Sequence, residues 1–375
     1  MRTISFIDLK AQYRKLKPLI KANLDAVLEH GAFIGGPEIG ALEAQLKELT
    51  GAGAVVACAS GTDALIMALM AEGVGPGDAV FVPAFTYNAT VNAVLLVGAT
   101  PVFVDVDPET FTIDLGHLAD RIAAVEKAGT LKPRAVIPVD LYGLPADYPG
   151  LAPIAQRHGL FVLADAAQAL GGALGNRAIG SLAPVTATSF FPTKTLGGYG
   201  DGGAIFCDTP ERAKILESIR WHGTDDAKKE SIRVGLNGRL DSMQAAVLLA
   251  KLTVFREEIA RRQTLAAIYT KALAGKSGIT LQRQPQGFVN ACGLFTVRLA
   301  DRPRVQAALA EAKMPSAIYY ATPMHLHAAF APYGEGMGSL PVCEAMAREV
   351  LTLPLHPYLE DDDVAAVAEV VKSAL

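Results

Sequence analysis

The stretch VTATSFFPTKTLGGYGDGGAIF, residues 185–206, decides how the rest of the chain is read. Val185–Phe190 and Gly203–Phe206 have the short, apolar, β-branched character of buried strands. Between them stands Lys194, followed by a glycine-rich run from Gly197 to Gly203. Those glycines allow a tight chain path around a bulky planar group. A lysine in such a setting is costly unless paired or neutralised. Desolvation also makes its amine nucleophilic and able to form an imine with a carbonyl. The plain alternative is a surface lysine beside a glycine loop, so Lys194 needs company before it means anything.

Working outward, strand-like and helix-like pieces alternate. Strands are expected at Ala54–Ala57, Ala79–Val82, Val102–Val104, Ala135–Val139 and Leu160–Leu163, the last running on to Asp165. Helical spacing is read at Ile20–Leu28 with a stop at Gly31, at Ile39–Leu49 with a stop at Gly51, at Asp63–Ala71, at Ala89–Val97 and around Ile154–Arg157. This alternation implies an α/β domain with a mostly parallel sheet. Beyond about residue 250 the pattern changes. Leu252–Leu273 reads as one long charged helix, Thr280–Gln282 and Leu294–Leu299 as strands, Val305–Ala312 as a helix, and Pro341–Leu351 and Asp361–Ala374 as closing helices. The expected division is a large domain over 1–250 and a smaller α+β domain over 251–375.

The bulk numbers exclude several classes. The chain has 375 residues, 51% of them hydrophobic and 19% charged, with a formal net charge of −4. That length exceeds what one core usually serves, and the apolar excess suggests a buried subunit interface as well. No basic stretch resembles a nucleic-acid footprint. The uncharged span Ala79–Val104 could pass for a membrane helix, but Pro83, Asn88, Asn92, Gly98 and Pro101 break it into strand, helix and strand. No membrane association is expected, and no secretory leader is read at the start. Cys58, Cys207, Cys292 and Cys343 are too scattered for a zinc knuckle or a disulfide framework, which favours a reduced, cytoplasmic setting. His325 and His327 have metal-like spacing but no third ligand, so no metal is expected.

Two further segments fall at strand ends, where ligands collect in such sheets. Ser60-Gly61-Thr62 joins a strand to a helix N-terminus, where backbone N–H groups and the helix dipole favour a phosphate. It could equally be an ordinary turn. Asp165 closes the apolar run LFVLA and either caps the next helix or pairs with a pyridinium nitrogen, keeping the ring an electron acceptor. Ser189 lies five positions before Lys194 and can offer a hydroxyl to a phosphate. Together the segments supply a phosphate cup, a ring-nitrogen partner and an imine-forming lysine.

With those motifs in view, the chain resembles the DegT/DnrJ/EryC1/StrS family of sugar aminotransferases, enzymes of the fold-type-I class that use pyridoxal 5′-phosphate (PLP). The resemblance runs from FIDLK (6–10) through IGGPE (34–38), SGTDAL (60–65), PAFTYNAT (83–90), DAAQA (165–169) and SFFPTK (189–194) to NGRLD (237–241) and LPLHP (353–357). It implies that Gly61, Thr62 and Ser189 hold the cofactor phosphate and that Tyr87 stacks on the pyridine ring. Asp165 would pair with the ring nitrogen, Gln168 approach the ring hydroxyl, and Lys194 attach the cofactor and move the proton. Asn237 would reach the phosphate across a subunit boundary, making a homodimer the working unit.

The implied activity moves an amino group from L-glutamate, through pyridoxamine phosphate (PMP), to a nucleotide-linked keto sugar. Within the family, residues 188–194 and 232–241 look most like enzymes acting on UDP-linked 3-keto sugars, including N-acetylated uronates of lipopolysaccharide and other surface polysaccharides. Acceptors linked to dTDP or GDP are the alternative. Arg239 would meet a substrate carboxylate or diphosphate, unless it pairs with Asp241 or another acid. Tyr319, Tyr320 and His325 are the remaining candidate substrate contacts. Tyr319 stands where the family usually has His, Ala321 where it has Pro, and Gly238 where Ser is common, which bears on the sugar and not on the cofactor. A PLP sugar dehydratase would carry His in place of Lys194. A non-catalytic PLP-binding regulator is the other rival, and the chain shows no DNA-binding appendage.

Overall fold

The computed structural model describes residues 4–375. Helix α1 (Leu9–His30) starts on Asp8, whose carboxylate accepts the Ala11 N–H at 2.8 Å. It begins earlier than the apolar spacing suggests, because its exposed first half carries few apolar residues. Helix α2 (Pro37–Thr50) has proline in its first turn and ends on Gly51 at φ 71°, a conformation costly for a residue with Cβ.

The main domain then alternates as expected. Its elements are β1 (Ala54–Cys58), α3 (Gly61–Ala71), β2 (Asp78–Pro83), α4 (Asn88–Leu96), β3 (Thr100–Val104), α5 (Leu115–Ala128), β4 (Lys132–Val136), α6 (Tyr148–His158) and β5 (Phe161–Asp165). The short pair β6 (Ala173–Leu174) and β7 (Arg177–Ala178) leads to β8 (Val185–Ser189), β9 (Gly203–Cys207), α7 (Pro210–Arg220) and α8 (Ser242–Leu252). Seven strands form one sheet in the order β1-β9-β8-β5-β4-β2-β3. Only β9 runs against its neighbours. The others are parallel and, apart from the first three residues of β4, almost wholly buried, with helices supplying the cover. The 79–104 span is thus strand, helix and strand, and no described helix is long and apolar enough to cross a membrane.

The sequence reading needs three corrections here. The helix expected over 252–273 starts three residues later, as α9 (Phe255–Leu273), because Leu252 closes α8 and the chain breaks at Thr253-Val254. There the Thr253 hydroxyl donates to the Ala250 carbonyl at 2.7 Å, and β-branched residues tolerate the helix interior poorly. The helix expected to reach Leu351 ends at Glu349, and Val350–Leu353 is a strand. Helices α5, α7 and α8 have no counterpart in the sequence reading. In α5 only Leu118 and Ile122 are fully buried, too few to show a stripe.

The C-terminal part adds β10 (Ile279–Leu281), β11 (Phe288–Val289), β12 (Phe295–Leu299), α10 (Arg302–Glu311), α11 (Pro341–Glu349), β13 (Val350–Leu353) and α12 (Asp361–Ser373). β10, β12 and β13 make a small antiparallel sheet. Leu265, Tyr269, Leu299, Leu309, Leu351 and Val367 form a core of their own beside it. Met324, Phe330, Cys343 and Met346 instead join the core under the main sheet, so residues 324–347 pack with the first half of the chain.

Candidate active site

The parallel strands deliver the key residues to one edge. Cys58, Gly203 and Ser189 lie in one row across β1, β9 and β8, and Asp165 ends β5 beside them. Because β9 enters this row at a glycine, the turn after β1 and the end of β8 come into direct contact. A Cβ on Gly61 would lie 2.7 Å from the Ser189 Cβ, and one on Gly203 would lie 2.5 Å from the Ser60 carbonyl oxygen. Ser60 spends its own hydroxyl capping α3, accepting the Asp63 N–H at 3.0 Å and donating to the Asp63 carboxylate at 2.8 Å. The N–H groups of Gly61 and Thr62 lie in the first turn, which has no intrahelical acceptors. The result is a small cup of helix N–H groups and the Ser189 hydroxyl.

Asp165 is buried, and burial pushes its carboxyl pKa up. Opposing this, Thr90 donates to Oδ2 at 2.8 Å, the Ala167 N–H donates to Oδ1 at 3.2 Å, and the Lys194 charge favours the anion. Lys194 shows the mirror pattern. Burial holds its amine below the ordinary lysine range, and the Asp165 charge pulls the other way. Among the described residues no hydrogen bond or ion pair engages the Lys194 amine, which leaves it available as a base or nucleophile.

The remaining wall is aromatic. Gln168 donates to the Tyr320 hydroxyl at 2.8 Å and accepts the Tyr142 N–H at 2.8 Å. The Tyr320 ring lies 6.2 Å from that of Tyr87 and 6.0 Å from that of Phe85. Tyr87 is 57% exposed at the mouth, so its face is free to cover a planar group. Tyr319 is half-buried beside Phe6, and its carbonyl accepts the Tyr142 hydroxyl.

The chain that brings Asp165, Lys194 and the Gly61–Ser189 contact to this edge matches one family model over residues 15–372: the DegT/DnrJ/EryC1/StrS aminotransferase family. This chain belongs to that family. The aminotransferase is 43% identical, over 97% of its length and 98% of the relative's, to the UDP-2-acetamido-2-deoxy-3-oxo-D-glucuronate aminotransferase of Pseudomonas aeruginosa. A DegT/DnrJ/EryC1/StrS aminotransferase from Brucella abortus superposes on it with a TM-score of 0.95 at 43% identity, covering 99% of both chains. Bacillus subtilis NtdA, solved with bound PMP, is 32% identical with a TM-score of 0.86, covering 98% of this chain and 83% of that one. The residues of the aminotransferase fit such a cofactor. The Gly61–Ser189 contact is a cradle that a single Cβ would fill, and the Lys194 amine has no hydrogen-bond or ion-pair partner among the described residues.

Other expected residues fall elsewhere. Asn237 is exposed, and Gly238 beside it accepts the Ala59 N–H at 2.9 Å, next to the Ser60-Gly61-Thr62 turn of its own chain. Arg239 is not in an ion pair with Asp241 or with any other described acid; its guanidinium lies 4.7 Å from the Trp221 ring centroid. His325 must be corrected. It is fully buried, with Nε2 3.2 Å from the Glu344 carboxylate, and presents no surface to a substrate. The apolar packing of Met324 and Phe330 draws that turn into the main core.

Several contributors escaped the sequence reading. Thr90 holds Asp165 and is itself linked to Thr86 at 3.0 Å. Its only signal was its place in PAFTYNAT, one of four polar residues there. Lys251 on α8 is almost wholly buried and donates to the Gly197 carbonyl at 2.5 Å. Burial pushes its pKa down to about 8, partly opposed by Glu258. Gln244 accepts the Tyr199 N–H at 2.8 Å. Together they pin the glycine loop that follows Lys194, a long-range link that no local pattern shows.

Proposed function

We propose that the protein transfers an amino group from L-glutamate to the 3-keto carbon of a UDP-linked, N-acetylated sugar of the uronate type. The observation that carries the aminotransferase chemistry is the meeting of Lys194, Asp165 and the Gly61–Ser189 cup on one sheet edge. The acceptor is supported by the Pseudomonas relative's substrate and by the unpaired Arg239, whose fork suits a carboxylate or diphosphate. The product would serve surface polysaccharide or lipopolysaccharide synthesis in the cytoplasm.

Gly61, Thr62 and Ser189 would hold the phosphate of PLP, Tyr87 would cover its ring, Gln168 would meet the ring hydroxyl and Asp165 the ring nitrogen. When bound, PLP supplies an electron sink for the carbon that bears the amine. The Asp165 carboxyl, whose burial is opposed by the hydrogen bonds from Thr90 and the Ala167 N–H, would hold the ring-nitrogen proton. The Lys194 amine, with its lowered pKa, would take the donor's α-proton as general base and deliver it as general acid to the cofactor carbon on the far side of the transferred nitrogen. Tyr87, Tyr319 and Tyr320 exclude water from that side. Asn237 would complete the phosphate site of a second copy, making the homodimer the active unit.

Adding L-glutamate to the PLP-loaded protein is expected to convert its absorbance to that of the PMP form, and a UDP-linked 3-keto sugar to restore it. No change with any amino acid would refute transamination. Turnover confined to a dTDP-linked 4-keto sugar, or to a GDP-linked one, would overturn the acceptor.

A further inference from the structure

Beside the end of β1, where Arg220 meets the Ala57 carbonyl, lies a groove of about 290 Å³, lined among others by Gly35, Glu43, Arg220, Trp221, Lys228 and Arg239. Trp221 is the only tryptophan in the chain. Two cations use its ring: Lys228 Nζ lies 3.6 Å from the centroid and the Arg239 guanidinium 4.7 Å. Gly35 closes on the indole edge, where an added Cβ would lie 3.3 Å from the ring. The ring therefore has a fixed seat and holds two long side chains in place.

The charge in this groove is not balanced. Arg220 is matched by Glu43 at 2.7 Å and by the Ala57 carbonyl at 2.7 Å. Glu43 is further committed to the Ala57 N–H at 2.9 Å. Neither Lys228 nor Arg239 has an acid partner among the described residues, and the buried Arg239 Nε has no acceptor. Two like charges gathered on one indole repel each other, and a buried guanidinium N–H without an acceptor is costly. An anion entering the groove would offset the repulsion between the two cations.

We propose that Trp221, Lys228 and Arg239 form an anion clamp that binds the charged oxygens of the nucleotide-sugar acceptor, with Lys228 as a specificity-determining residue and Trp221 as the residue that positions both cations. This rests on the acceptor being a nucleotide sugar, as proposed above. The shared chemistry is an anionic oxygen group, supplied either by the diphosphate or by a uronate carboxylate.

Trp221 is its own reporter. The PLP-loaded protein would be titrated with uridine, UDP-glucose and UDP-glucuronate, following tryptophan emission and, in parallel, the heat of binding. UDP-glucuronate is expected to change the emission saturably and uridine is not; UDP-glucose changes it as well when the diphosphate is the group in the clamp. Lys228→Met should weaken binding about tenfold, as expected for losing a bond to a charged group, while Lys228→Arg retains most of it. Equal losses for both sugars place the diphosphate in the clamp; a loss confined to UDP-glucuronate places the carboxylate there. Circular dichroism of each variant checks that the fold is kept. If heat shows binding but the emission is silent and Lys228→Met binds like the parent, the clamp is wrong and the proposed function stands. If the parent binds neither UDP sugar, both fall.

Discussion

The sheet edge and the 220–239 segment are built on opposite terms. At the sheet edge, Asp165 and Gln168 are buried, and each has its hydrogen-bond partners within the chain. Around Trp221, Lys228 and Arg239 are held by a ring, and neither has an acid partner among the described residues. The first region is organised before anything binds. The second has its geometry ready and its charge incomplete. Cofactor chemistry needs the first kind, because a charge stabilised by fixed groups requires no reorganisation at the moment of reaction. Recognition of an exchangeable, anionic acceptor suits the second, because the ligand itself supplies the missing charge.

If the sheet edge is the chemical half, Lys194→Ala should abolish amino transfer by a factor on the order of 10³ or more. It should also remove the lysine-bound cofactor band, with thermal unfolding little changed. Activity within tenfold of the parent would break the comparison at its base. Next in size is Gly61→Ala. The added methyl meets Ser189 inside the phosphate cup, so PLP affinity should fall about 10- to 100-fold, as expected of overpacking. Equilibrium titration of the cofactor-free protein reads this directly, and unchanged affinity would show that the cup is not where the phosphate sits.

A finer test is Thr90→Val. Thr90 donates to the charged form of Asp165, so its loss raises the Asp165 pKa further. The carboxylate must be ionised to act, so activity is retained at higher pH and lost sooner as pH falls. The acid limb of kcat/KM should move up by about one pH unit. A profile that stays in place would remove Asp165 from the rate. The smallest catalytic effect is expected at His325, which the structure assigns to the interior. His325→Ala should lower stability by about 2–4 kcal/mol through lost packing and a stripped Glu344, while KM for the acceptor stays within twofold. A large KM change without destabilisation would restore it to the substrate loop.

Much of the first region was legible in the chain, and much of the second was not. Lys194, Asp165, Gly61 and Ser189 announce themselves because each follows a short apolar strand, and the carboxyl ends of parallel strands share an edge by construction. Thr90 and Lys251 act on that edge from helices distant in sequence, and nothing in their own neighbourhoods marks them. Tyr320 was read as a substrate contact, yet its hydroxyl accepts a bond from Gln168 in the cofactor wall. His325, six residues after Tyr319, is carried by Met324 and Phe330 into the core.

The sequence by itself determined the alternation of strand and helix, the parallel sheet and the chemistry at its edge. Those follow from local periodicity and from residue types placed at strand ends. Tertiary structure alone decided that β9 enters the edge at Gly203 and so presses Gly61 onto Ser189, and that Lys251 pins the loop after Lys194. It also decided that Trp221 gathers two unpaired cations while His325 is withdrawn into the core. These depend on which surfaces meet across the fold, and a side chain's partner a hundred residues away leaves no trace in its local spacing.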